Sequence, residues 1–145
     1  MGTQQILMLV IGVIIVGLAI TVGFVTFNNG SYNSNKSALA VEMQEMSTRL
    51  MQYWMLPTSM GGASQLTSNV TVASVGKSLG FLEMEGVYTL SNDNGEYRVL
   101  SVNGSVVEIG GLGNVSKKDK FPFAKLSVDL LTQETSTVLS EQAGF

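Results

Sequence analysis

Residues 6–27, ILMLVIGVIIVGLAITVGFVTF, decide how the rest of the chain is read. These 22 residues carry no charge, and only Gly12, Gly17, Gly23, Thr21 and Thr26 relieve the run of apolar side chains. As a helix rising 1.5 Å per residue the stretch is about 33 Å long, enough to cross the hydrocarbon core of a bilayer. A helix apolar on every face cannot lie half-exposed on a small soluble domain, so it needs lipid or copies of itself around it. The remaining residues read as a small domain carried on that rod.

The composition narrows the function. The chain has 145 residues, of which 13% are charged, against roughly 25% in ordinary soluble proteins. A net charge of −3 and a pI near 4.8 argue against nucleic acid as a partner, because phosphate contacts need clustered Lys and Arg. The one basic cluster, Lys117, Lys118 and Lys120, is interrupted by Asp119 and reads as a solvated loop. There is no Cys and no His, which excludes disulfides, thiol nucleophiles, imidazole bases and the usual zinc sites. No metal or cofactor is expected. Five Asn-x-Ser/Thr sequons begin at Asn29, Asn35, Asn69, Asn103 and Asn114. That exceeds the chance expectation of about two and mildly favours a glycosylated surface outside the cell.

No catalytic constellation emerges. Gly76-Lys77-Ser78 resembles the end of a phosphate-binding loop, but Thr71 stands where the pattern requires its first Gly. Gly110-Gly111-Leu112-Gly113 follows a strand without a helix pattern behind it, so it reads as a flexible turn. Asn92-Asp93-Asn94-Gly95-Glu96 offers oxygen ligands without EF-hand spacing. Glu83 and Glu85 would share one face of a strand, and they read as solvated carboxylates. The chain is not expected to be an enzyme.

Three readings compete for the N-terminus. A secretory signal would carry Lys or Arg before a shorter apolar region, whereas Met1-Gly2-Thr3-Gln4-Gln5 has no side-chain charge; the segment is expected to be retained. A single-span anchor is the second reading, with Lys36 and Arg49 too few to set orientation. Gly12, Gly17 and Gly23 lie five and six apart and miss the GxxxG pattern, but they scatter around the helix and suit close neighbours on several sides.

The third reading rests on layout. A short polar prelude from Met1 to Gln5, about 20 apolar residues, an amphipathic helix and then a β-rich head resemble the type IV pilin superfamily, including archaeal pilins and bacterial pseudopilins. The likeness in layout runs the length of the chain; at residue level it is confined to roughly the first 30. Two departures stand out: Gln5 occupies the place where bacterial members usually carry Glu, and there is no Cys for a C-terminal disulfide loop. Archaeal members commonly lack both features, so the branch stays open. The resemblance implies a filament subunit packed through Ile6, Leu9, Val13, Val16, Gly17, Ile20, Phe24 and Phe27. It implies a homopolymer at the cell surface, held in a membrane before assembly and extracted by an assembly machinery. The alternative is a membrane-anchored extracytoplasmic protein or a pseudopilin of a secretion or DNA-uptake system.

Beyond the rod, Asn28 to Asn35 are polar and helix-disfavouring, so a kink or melted stretch is expected there or near Gly23, unless neighbouring subunits hold a continuous helix. Ser37 would then cap a second helix, Ala38–Leu56, whose apolar stripe is Leu39, Met43, Met46, Leu50 and Tyr53 or Trp54, with Pro57 ending it. Thr58 to Ser68 reads as a linker. Strands are expected around Val70, Val72 and Val75, and at Val87–Ser91, Glu96–Val102, Ser105–Ile109 and Phe123–Leu131. The turns fall at Asn92–Gly95 and Asn103-Gly104. The tail from Thr132 reads as an edge strand or as a segment ordered only against a neighbour. The expected fold class is α+β: a hydrophobic helix (1–30) continuing into an amphipathic helix (31–57), packed on a small antiparallel β-sheet head (58–145).

Overall fold

The computed structural model describes residues 2–145; the part of the polar prelude assigned to Met1 lies outside the described residues. The fold is α+β. One helix, α1 (Gly2–Met55), of 54 residues, lays its C-terminal part on a six-stranded antiparallel sheet whose strands follow chain order from edge to edge.

The helix corrects the first expectation. No kink or melted stretch interrupts it at Gly23 or between Asn28 and Asn35, and Ser37 is an interior helical residue rather than a cap. The low helix propensity of that stretch is outweighed by anchoring to the head. Tyr32 donates its hydroxyl to Glu141 at 2.9 Å. Asn35 is buried, donates through Nδ2 to the Asn94 carbonyl at 2.6 Å and accepts from the Val115 amide at 3.3 Å. Pro57 follows the end of the helix, as anticipated: its ring disfavours α geometry in the residue before it.

The stripe predicted from sequence is the one that packs. Leu39, Met43, Met46, Leu50, Tyr53 and Trp54 are buried against Tyr97, Val99, Val107, Ile109, Leu126 and Val128 of the sheet. Val75 and Leu79 close the same core from the short helix α2 (Val72–Leu79). That helix overturns the strand expected around Val70, Val72 and Val75. Thr71 caps it, accepting from the Ser74 amide at 3.1 Å, while Ser74 Oγ accepts from the Thr71 amide at 2.9 Å. Gly80 ends it with φ +78°. The spacing of Val75 and Leu79 is a helical step, and the reciprocal cap fixes that choice over period two. Gly76, singled out for its likeness to a phosphate loop, sits inside α2 where a Cβ would come within 2.4 Å of the Tyr88 ring.

The sheet runs β1 (Leu82–Met84), β2 (Val87–Ser91), β3 (Gly95–Asn103), β4 (Val106–Gly113), β5 (Phe121–Asp129) and β6 (Glu134–Gln142). Glu85 does not share a strand face with Glu83, because β1 stops at Met84 and Glu85-Gly86 form a tight turn at φ 52° and 81°. Glu83 instead accepts from the Tyr88 hydroxyl at 2.9 Å. The Asn92–Gly95 turn forms as expected, with Asn92 Oδ1 accepting from the amides of Asn94 (2.9 Å) and Gly95 (3.1 Å). The next hairpin lies one residue further on than the sequence suggests. Asn103 pairs with Val106, so Gly104-Ser105 form the loop, with φ +62° at Gly104.

Gly110–Gly113 is not a flexible turn but the second half of β4. Each of three glycines there marks a close approach. A Cβ on Gly110 would meet Phe145 at 2.9 Å, on Gly111 the Met43 methyl at 2.4 Å, and on Gly113 the Asn35 amide oxygen at 2.2 Å. The tail is an edge strand: β6 pairs with β5 along nine residues, and Phe145 folds back over the outer sheet face. There its ring lies 5.8 Å from that of Phe123, with the Arg98 guanidinium 4.5 Å above it.

Candidate functional site

The part of the molecule with unmet physical demands is the N-terminal rod of α1. Every large apolar side chain from Ile6 to Phe27 is exposed, from 46% at Val10 to 71% at Met8 and Phe27. Ile6, Leu9, Val13, Val16, Ile20, Phe24 and Phe27 all belong to this set; their three- and four-residue spacing places them on one face, and the other exposed apolar side chains, among them Leu7, Ile11, Ile14 and Leu18, cover the remaining faces. Around Gly12, Gly17 and Gly23 a Cβ would find nothing within 4 Å. The first charged residue of the chain is Lys36.

The two hydroxyls in the rod are already satisfied. Thr21 donates to the Gly17 carbonyl and Thr26 to the Val22 carbonyl, each at 2.9 Å. Backbone groups are consumed by the helix itself, so its central turns present no unpaired donor to an apolar surrounding. The rod is thus long and apolar enough to cross a membrane, with none of that window buried inside the chain. Gln5 lies in its first turns as an exposed amide.

The junction with the head is a shallow cleft of about 610 Å³ between Phe27, Gly30, Ser31 and Ser34 on α1 and the loops at Asp93–Asn94 and Asn114–Val115. Sequence reasoning missed this junction. Its contacts join residues 59 to 109 positions apart, and no local pattern announces them.

Deeper in the head, Glu42 receives the amides of Asn92 (2.9 Å) and Asn94. Burial alone would raise its pKa, but the Tyr97 hydroxyl and these two amides outweigh it and hold the carboxyl below its ordinary value. The Tyr97 hydroxyl is buried without a partner of good hydrogen-bond geometry; burial first, then the Glu42 carboxylate, raises its pKa. The arrangement is a structural clasp between α1 and the β2–β3 turn. Among the described residues no group of three or more His, Cys, Asp or Glu side chains could hold a metal ion.

The sequons fall in unlike places. Asn29 and Asn35 are on α1, half-buried and buried respectively. Asn69 donates its Nδ2 to the Ala63 carbonyl at 3.0 Å, and Asn114 donates its own to the Asp93 carbonyl. Asn103 stands exposed at the end of β3. Lys117 and Lys120 pair across a tight turn through Lys118 and Asp119, a surface loop as read from the sequence. No protein family, curated protein or solved structure matches the chain.

Proposed function

We propose that this chain is the structural subunit of an extracellular filament of the type IV pilus kind, polymerising through Ile6–Phe27, and that it works without catalysis. One observation carries the reading: a 22-residue rod apolar on all sides, attached without a break to a head that closes its own core. The resemblance in layout to type IV pilins supports it. In a membrane the rod is at rest, because lipid is as apolar as Leu; association there must come from packing rather than burial from water. Extraction from lipid therefore needs outside work, the task of an assembly machinery with a motor ATPase. Outside the cell the balance changes. Pulling one rod out of a bundle into water would expose apolar surface at about 25 cal/mol per Å². A filament held this way needs no covalent links.

The test is to shear cells that make the protein and examine the released material by electron microscopy. Fibres built of this chain support the reading. Recovery only as dispersed single molecules in detergent-solubilised membranes would favour the anchored alternative and overturn it. Gly17→Leu separates the two further: the added side chain meets nothing within the chain, so loss of fibres would report neighbours packed against that face.

A further inference from the structure

We infer that Asn103 is the N-glycosylation site of this protein and that the other four sequons are left unmodified. The argument is one of availability. An N-linked glycan replaces one amide hydrogen of Asn Nδ2, so the acceptor must be free to leave its partners and to carry a bulky sugar in solvent. Asn35 fails on both grounds, being buried and donating through Nδ2 to Asn94. Asn69 is half-buried with Nδ2 on the Ala63 carbonyl. Asn114, although exposed, ties Nδ2 to the Asp93 carbonyl and so holds the end of β4 to the β2–β3 turn, a bond that a sugar on the same nitrogen would crowd. Asn29 is half-buried on a helical turn two residues past Phe27, in the layer that lipid or neighbouring rods would occupy.

Asn103 alone combines exposure with an uncommitted side chain. It is exposed, it ends a strand beside the two-residue loop Gly104-Ser105, and among the described residues its side chain makes no hydrogen bond. Its pairing with Val106 puts it on the sheet face turned away from α1, since Val107, the next residue, points into the core. It is also remote from the rod. Gly113 packs beside Asn35 and Gly111 beside Met43, so β4 runs toward the rod and its partner β3 runs away from it. The eight steps from Gly95 to Asn103 carry the acceptor about 27 Å along the sheet. A glycan there would crown the far end of the head without touching α1.

The chemistry requires a lipid-linked oligosaccharide as donor. Asn103 Nδ2 bonds to the sugar C1, the bond from C1 to the lipid pyrophosphate breaks with its electrons, and the amide proton passes to a base of the transferase. The assignment of Asn103 does not rest on filament formation; only the exclusion of Asn29 draws on lipid or other rods surrounding the apolar helix. The test is tandem mass-spectrometric mapping of the full-length chain taken from the cells that make it. A glycan on the Asn103 peptide alone is expected, and Asn103→Gln and Ser105→Ala should each return the intact mass to that of the 15.5 kDa polypeptide. An unmodified Asn103, or a glycan on Asn29, Asn35, Asn69 or Asn114, overturns the inference. The map of the unaltered chain decides by itself, so misfolding of either variant costs the test nothing.

Discussion

The two halves of α1 form one helix and obey opposite rules. From Ile6 to Phe27 the residues are the most apolar in the chain, and none of them is buried. From Tyr32 to Trp54 polar and apolar residues alternate at helical spacing, and nine are buried: Tyr32, Asn35, Leu39, Met43, Met46, Ser47, Leu50, Tyr53 and Trp54. Hydrophobicity alone therefore does not say where the core is; the arrangement of it does. An amphipathic stripe can be satisfied by the chain's own sheet, whereas a rod without a polar side must be satisfied by something else.

The sharpest way to break this comparison is to truncate the same residue in each half. Leu50 is fully buried, and Leu50→Ala should destabilise the head by about 3 kcal/mol. Leu18 is 62% exposed, and Leu18→Ala should change head stability by less than about 0.5 kcal/mol in detergent. Chemical unfolding followed by Trp54 fluorescence measures both. Equal losses would mean that the rod is part of the head's core after all.

Glycines give a second contrast. Gly113→Ala drives a Cβ into Asn35 and Pro122 and should cost the head about 1–3 kcal/mol. Gly17→Ala meets open space and should leave the melting temperature of the detergent-solubilised chain unchanged or slightly higher, since Ala favours helix.

The clasp at Glu42 predicts a pH dependence confined to the head. Its carboxyl is held below the unfolded value of about 4.3, so the stability it adds is fully present above that pH. That contribution disappears as pH falls through the lower, folded value. Glu42→Gln should therefore be less stable than the parent at pH 7, with the gap narrowing toward pH 3. Urea unfolding at several pH values would show it, and a gap constant with pH would exclude the charge as the cause.

Within the head, the smallest effect is expected at Tyr97. Its hydroxyl is buried without a well-formed partner, so Tyr97→Phe should shift stability by less than about 1 kcal/mol in either direction. A larger loss would show that its interaction with Glu42 is stronger than the hydrogen-bond geometry allows.

Much of this was legible in the sequence wherever a period or a turn residue spoke for itself. The rod, the stripe from Leu39 to Trp54, the Asn92–Gly95 turn and the strands following it rest on local signals. The largest departures are three. Asn28–Asn35 looks like a helix breaker because its stabilising contacts, Tyr32 to Glu141 and Asn35 to Asn94, come from far along the chain. Val70, Val72 and Val75 favour strand by residue type, while the Thr71–Ser74 cap and Gly80 make a helix. Gly110–Gly113 suggests looseness, although those glycines are small because Phe145, Met43 and Asn35 press against them. Of the candidate site, the rod could be read directly; which sequon stands clear could not, since hydrogen bonding of an Asn amide is settled by tertiary contacts.

The continuity of α1 has a mechanical consequence. With backbone bonds running unbroken from Gly2 to Met55 there is no swivel between stalk and head. A pull on the head reaches the N-terminus as tension along a single hydrogen-bonded column, and any twist of the rod turns the head with it, as a mast turns with its keel.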